Sequence, residues 1–409
     1  MSKRTVILSY GMGRDSTAIL LRWLSDPTSR DFDLDQLIVV TAQVGNEWPD
    51  TYRLVKERIL PLLRQHKVRY VQLCRSGPDL ADGVTVLDDS REPTEVCTDV
   101  PWTLRDELVR NGTVPESAAG RRKCSIKYKG EVIDRWIKAN LGGQAFSHVI
   151  GFNADEENRR DRDQCYGGAG REGRYPLIEW GMGHEGVAAY CKEATGLDWP
   201  KSACHFCPFS RGREEVRDRI LLFPDLGVDV LLIEYIAMAL NVNMRLYADR
   251  TAYDAFHADI RLDAVRAAFE ARLEASQWSV YRVRRAMVDG VWDRAVEVLF
   301  TGSRANAEDQ LYDEADERGG MPATDAYGTV RVPLRDRSMD KKELAAGVKQ
   351  AKARRKLAGK KAAKPAPTVA EAEEFLVLAP AGVAAKARGR FEGQWRLALN
   401  VLGQEACTV

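Results

Sequence analysis

The chain has 409 residues, 61 Lys and Arg against 60 Asp and Glu, and a formal net charge of +1. That length exceeds one typical core, so a main domain with appended parts is expected, and the balanced charge gives no global pull toward polyanions. No apolar run reaches membrane-spanning length and the first residues lead straight into a strand, so the expectation is a cytoplasmic protein with no signal peptide and no membrane partner.

Val6-Ile7-Leu8 predicts a first strand over 4–9, which breaks into Ser9-Tyr10-Gly11-Met12-Gly13-Arg14-Asp15-Ser16-Thr17 and opens onto a helix near 15–26. Gly11 and Gly13 let main-chain N–H groups approach a ligand closely. Ser16 and Thr17 stand where helix N-terminal donors and hydroxyls converge on an anion, which is a phosphate-binding arrangement. A Walker loop requires a lysine before Ser16, and a dinucleotide fingerprint requires glycine in its place. The pyrophosphatase loop Ser-Gly-Gly-x-Asp-Ser fits better: Gly13, Asp15 and Ser16 match it, while Gly11 and Met12 depart from it.

Leu37 to Val44 reads as a second buried strand, and Gly45-Asn46-Glu47-Trp48-Pro49-Asp50-Thr51-Tyr52 leads into a helix near 50–66. A strand at 68–74 follows, then an Asp-, Ser- and Pro-rich stretch over 75–101 that reads as a long loop or lid. Helices are expected near 102–111 and 129–140, with a strand over 146–152. This alternation predicts an α/β fold, an open and mostly parallel sheet with helices on both faces, whose ligands sit beyond the carboxyl ends of the strands. Tyr175 to Trp180 reads as a short edge strand. The expected division is a nucleotide-binding domain over 1–213, a helical extension over 214–300, an irregular segment over 301–340, a basic linker or arm over 341–367 and a C-terminal segment over 368–409. The C-terminal part is thus expected to be helical.

Three further segments carry a resemblance. They are Gly45 to Tyr52, Arg121-Arg122-Lys123-Cys124-Ser125-Ile126-Lys127-Tyr128-Lys129, and Pro200-Lys201-Ser202-Ala203-Cys204-His205-Phe206-Cys207-Pro208-Phe209. With the glycine loop they resemble the phosphoadenosine-phosphosulfate reductase-like branch of the adenine nucleotide α-hydrolase superfamily over residues 4–250. The resemblance implies ATP cleaved at the α-phosphate to AMP and pyrophosphate, adenylating an acceptor, with possible sulfur transfer to tRNA or DNA. On this reading Asp15, Ser16 and Lys127 are catalytic. Ser9 to Thr17, Asn46, Glu47 and Arg122 bind the nucleotide. Gly151 to Arg160 resembles the family's Gly-x-x-x-Asp-Glu segment, which gives Asp155 and Glu156 to the nucleotide rim and to Mg2+.

Eight cysteines in a reducing compartment point to metal or redox use rather than a disulfide framework. Cys204 and Cys207 present two thiolates at one turn, a spacing for zinc or one edge of an iron–sulfur cluster. Cys124 is the expected third ligand, because Arg121, Arg122, Lys123 and Lys127 around it favour a thiolate. The expected cofactor is a [4Fe–4S] cluster, with Zn2+ completed by His205, Cys97 or Cys191 as the alternative. Cys74 is assigned to the core and Cys165 to a loop. The cations at 341–364 read either as a solvated helix or tether, or as an arm for tRNA or DNA held through phosphates. Two other functions stay open. A sulfonucleotide reductase is one, although Gln404 to Val409 lacks the glycine and histidine of its Glu-Cys-Gly-x-His tail. A nucleotide-binding component without turnover, in a defence or mobile-element system, is the other.

Overall fold

Val6, Ile7 and Leu8 are enclosed, and they make β1 (Thr5–Ser9) an inner strand of a six-stranded sheet. The structure, a computed structural model, describes residues 4–115, 117–118, 121–165, 168, 170–210, 213–336, 341–358, 367, 369–387 and 389–403. Two units separate by their internal contacts, one of residues 1–108 and 115–227, the other of 109–114 and 228–409. The boundary therefore falls at 227/228 rather than at the expected 213/214.

In the first unit β1 is joined by β2 (Leu37–Ala42), β3 (Arg69–Arg75), β4 (Val84–Ser90), β5 (Phe146–Val149) and β6 (Arg171–Arg174), in the order β4-β3-β2-β1-β5-β6. Every pairing is parallel except β3 with β4. Val6 lies opposite Leu37 and Ser147, and Leu8 opposite Val39 and Val149. The two-residue alternation of β1 then feeds two cores. Val6, Leu8 and Tyr10 join Trp23 of α1 (Arg14–Ser25), Ile59, Leu60 and Val187 on one face. Ile7 joins Val40, Val71, Ile133 and Trp136 on the other, under α2 (Glu131–Leu141). Each fully buried aliphatic side chain, Ile7 and Leu8 among them, stabilises the fold by about 1.5–3 kcal/mol.

Strand order fixes where a ligand belongs. From β1 the chain adds β2 and β3 on one side, then crosses to place β5 on the other. The crevice of such a sheet lies outside the carboxyl ends of the two strands where that reversal occurs, here β1 and β5. The Gly11 turn and the Gly151 turn both emerge there.

Two expectations in this unit are corrected. The stretch 75–101 is not wholly a loop: Val84, Thr85 and Val86 pair antiparallel with Arg75, Cys74 and Leu73 as the start of an edge strand. The edge strand near 175 is instead β6, ending at Arg174. Pro176 begins the short helix Pro176–Glu179, its fixed φ suiting a first helical turn.

The second unit contains a five-stranded antiparallel sheet of β7 (Trp278–Val288), β8 (Val291–Gly302), β9 (Ala323–Thr324), β10 (Val330–Arg335) and β11 (Ala370–Pro380), ordered β8-β7-β11-β10-β9. The expected helical character holds for Arg213–Leu222, Pro224–Leu240, Ala252–His257 and Asp263–Ala275, and ends at Trp278. The C-terminal part is therefore not a helical extension. Nor is 301–340 irregular, since it holds the helix Arg304–Arg318 and two strands. Phe391, Trp395 and Ala398 of the helix Phe391–Val401 pack on Ala286, Ala295, Ala370 and Ala372. The basic segment begins as the helix Lys341–Ala358; its remainder to 366, and the tail Gln404 to Val409, lie outside the described residues. No helix among the described residues is long and apolar enough to cross a membrane.

Candidate functional site: a glycine loop at the strand-order reversal

The loop between β1 and α1 is anchored from below by its aromatic residue. Tyr10, 1 % exposed, receives a hydrogen bond on its carbonyl from Thr41 Oγ1 at 2.9 Å, and its hydroxyl meets Thr17 Oγ1 at 3.2 Å. Ser16 Oγ closes the loop, accepting from the Gly11 N–H at 3.2 Å and donating to the Gly13 carbonyl at 3.3 Å. Gly13 caps α1, so the amides of Arg14, Asp15 and Ser16 lie in a first turn that offers them no intrahelical acceptor. Met12 has φ 62°, a left-handed conformation that favours glycine, and its side chain is buried in the core. Gly13 is needed for close approach: a Cβ there would stand 3.1 Å from Ser202 N and Cβ. The loop thus touches the segment that precedes Cys204.

The turn after β5 presses on the same loop. A Cβ at Gly151 would lie 3.1 Å from Ser16 N. Asn153 Nδ2 donates to Asp15 Oδ1 at 3.0 Å and also meets His184 Nδ1 at 3.0 Å. Asp155 Oδ2 accepts from the His184 backbone N–H at 2.8 Å, at the start of α3 (His184–Thr195), and Glu156 Oε1 pairs with Arg159 at 2.7 Å. Asp15, Ser16 and Asp155 are thereby gathered at the strand-order reversal. Asn153 and His184 join them, although neither was among the expected site residues. The signal available was the position of Asn153 inside the Gly151 to Arg160 segment.

The turn after β2 is tied to the segment around Cys204. Glu47 Oε1 accepts from the Ala203 N–H at 3.0 Å and the Trp48 N–H at 3.1 Å, and Ser202 Oγ donates to Glu47 Oε2. Asn46 receives the His205 N–H on its carbonyl at 3.1 Å and the Arg105 N–H on Oδ1 at 3.0 Å. Asp50 pairs with Arg219, whose guanidinium lies 4.6 Å from the Trp48 ring centroid. The Gly45 to Tyr52 motif therefore clasps the Cys204 segment and the helix Arg213–Leu222.

Cys124, Cys204 and Cys207 act on one another electrostatically, so their thiols share one neighbourhood. Burial pushes the Cys124 thiol up, with Cys207 adding to the effect. Burial also pushes Cys204 well up, and Glu47, Cys207 and Cys124 reinforce the rise. The cation opposing this at Glu47, Cys124 and Cys204 is Lys129. Lys127 is drawn to Glu107 Oε2 at 2.6 Å, beside the Tyr128 hydroxyl on the same oxygen at 2.8 Å. Counted out, the Cys-Ser-x-x-x-Lys spacing ends on Lys129, so that residue was legible. Arg122 lies 4.9 Å from the Phe209 ring centroid, tying the basic segment to the Cys-x-x-Cys-Pro-Phe stretch.

The alternative ligands have partners of their own. Cys97 is held by its N–H to Gln72 Oε1 at 2.8 Å and feels Asp88 and Glu95. Cys191 sits behind the glycine loop, its thiol 3.4 Å from the Arg14 carbonyl and pushed up by burial to about 12. His205 Nδ1 lies 3.1 Å from the Asn46 carbonyl. Cys74 is buried on β3, and Cys165 is exposed at the end of the helix Glu157–Gln164. The three clustered thiols are a soft donor set. However, among the described residues no group of three or more His, Cys, Asp or Glu is arranged to hold a metal ion.

Ser9 belongs to a partly buried chain that runs across β1, β5 and β6. Arg171 Nε donates to His148 Nδ1 at 3.0 Å, so the imidazole carries its proton on Nε2 and donates to Ser9 Oγ at 2.8 Å. Arg171 also pairs with Asp163 at 2.6 Å.

No family model matches the chain, and no curated protein matches its sequence.

Proposed function

We propose that the first unit is a nucleotide-binding module of the adenine nucleotide α-hydrolase kind, similar to the phosphoadenosine-phosphosulfate reductase-like branch. It binds ATP with Mg2+ and cleaves it at the α-phosphate, adenylating an acceptor. The observation that carries this reading is the convergence of Asp15, Ser16 and the Gly151 turn beyond β1 and β5, where the strand order reverses. The first-turn amides of α1, which have no intrahelical acceptor, are suited to hold phosphoryl oxygens, because the helix N-terminus carries partial positive charge. Stabilising the charge that develops on the leaving pyrophosphate is the electrostatic work such donors do. Ser16 Oγ spans the loop and would exchange its bond to Gly13 for a phosphoryl oxygen. Asp15 and Asp155 supply carboxylates of the type Mg2+ uses together with phosphate.

Cys124, Cys204 and Cys207 are the proposed site for a soft metal, an iron–sulfur cluster or zinc, whose chemistry would be sulfur handling or structural cross-linking. The described donor set is not a closed cage, and no step is derived through it. The cations of Lys341–Ala358 remain the proposed contact for tRNA or DNA.

The test is product analysis. The full chain, incubated with Mg2+ and ATP and then with tRNA or DNA, is expected to release AMP and pyrophosphate. Release of ADP and phosphate alone overturns the reading, and binding without product favours a component that lacks turnover.

A further inference from the structure

Asn153 is fully enclosed at 0 % exposure, yet nearly all its hydrogen-bonding capacity is spent at the proposed phosphate site. Its Oδ1 accepts from the Asp155 N–H at 3.1 Å, and its Nδ2 lies 3.0 Å from both Asp15 Oδ1 and His184 Nδ1. The orientation of this amide is determined. Turned over, it would set its oxygen against the Asp15 carboxylate and its NH2 against the Asp155 N–H, two like-with-like contacts in a buried site.

With Nδ2 as the donor, each of its hydrogens has one partner, Asp15 Oδ1 and His184 Nδ1. The ring nitrogen Nδ1 must then accept, which leaves the imidazole proton on Nε2. The His184 backbone is fixed as well, its N–H donating to Asp155 Oδ2 at 2.8 Å. Gly183 allows this approach, since a Cβ there would meet Asp155 Oδ2 at 2.8 Å. Among the described residues nothing else bonds to the His184 ring, which is partly exposed.

We propose that Asn153 is a positioning residue of the phosphate site: it fixes Asp15 and holds His184 as the neutral Nε2–H tautomer, whose N–H is offered to a phosphoryl oxygen of the bound nucleotide. The second half rests on the nucleotide reading above. A neutral donor suits this place, because a doubly protonated ring would turn an N–H against the Asn153 amide. His184 is thus a binding residue for the phosphate chain, set by a neighbour that touches no ligand itself.

Histidine 15N chemical shifts of the full chain test the positioning directly, with His184 identified among the five histidines by His184→Gln. At pH 8 the wild-type ring is expected as a single Nε2–H tautomer. Asn153→Ala is expected to give averaged tautomers and to weaken Mg–ATP binding about tenfold or more. Should Asn153→Ala not fold, His184→Gln carries the test, with an unchanged melting temperature and Mg–ATP binding weakened about tenfold. A wild-type ring protonated on Nδ1, or mixed, overturns the positioning role. Unchanged Mg–ATP affinity in His184→Gln overturns its part in binding. If the wild type shows the expected tautomer but binds no Mg–ATP, the nucleotide reading fails while the positioning of Asp15 and His184 stands.

Discussion

Trp199 donates its indole N–H to the carbonyl oxygen of Met12 at 3.0 Å. That bond holds a non-glycine residue in the left-handed region, at the position where the resembling loop has glycine. The conformation costs about 1–2 kcal/mol. Burying the Met12 side chain outweighs it, since truncating a buried methionine costs about 2–5 kcal/mol. Met12→Gly is therefore expected to destabilise the chain by about 1–3 kcal/mol in denaturant titration, despite relieving backbone strain. Trp199→Phe removes the donor and is expected to cost about 1–3 kcal/mol. A more stable Met12→Gly variant would show that strain dominates.

Glu47 latches the Cys204 segment through Ser202 Oγ and the Ala203 N–H. Glu47→Ala leaves these donors without their acceptor, while Glu47→Gln keeps one carbonyl oxygen in place. Alkylation of Cys204 and Cys207 is expected to be several-fold faster in Glu47→Ala than in wild type, with Glu47→Gln between them. Equal rates in all three would mean that the latch does not control access.

What was legible follows from chemistry that is local in sequence. Val6-Ile7-Leu8 and Leu37 to Val44 are continuous apolar runs, and each reads as a buried strand without knowledge of its partners. β7 was missed because Arg282, Arg284 and Arg285 interrupt it, and their charges are matched by partners distant in sequence, Glu374 and Glu373 on β11 and Glu392 on the helix Phe391–Val401. A local signal was present: Asp289-Gly290, both at positive φ, forms the tight turn between β7 and β8. The helix Arg304–Arg318 hid behind charge for a similar reason, its buried stripe being only Ala307, Leu311 and Ala315. Within the site, Asp15 and Ser16 announce themselves by their loop. Asn153 does not, because its significance depends on Asp15, 138 positions away, and on His184.

The His148 imidazole is pushed down from its ordinary 6.5 to about 4, by burial first and by Arg171 second, with Asp163 opposing. As pH falls below about 6.5 the unfolded chain takes up a proton that the folded ring refuses, so this contribution to stability is present at neutral pH and is lost toward pH 4. The loss amounts to about 3 kcal/mol. In His148→Gln the decline in unfolding free energy between pH 7 and pH 4 is expected to be shallower by that order. Parallel profiles would remove His148 as its cause.

Metal content decides the status of the three thiols. Protein isolated without oxygen is expected to carry iron with acid-labile sulfide, and Cys204→Ser to lose both. One zinc per chain would assign the thiols to cross-linking. A metal-free chain that retains nucleotide binding would show that Cys124, Cys204 and Cys207 only pack.

Calorimetric titration of the full chain with Mg–ATP probes the glycine loop most directly. Saturable binding is expected, weakened about tenfold or more by Asp15→Ala and by Ser16→Ala. A wild-type chain that takes up no ATP, or binds it with an affinity both substitutions leave unchanged, would contradict a phosphate site at the ends of β1 and β5.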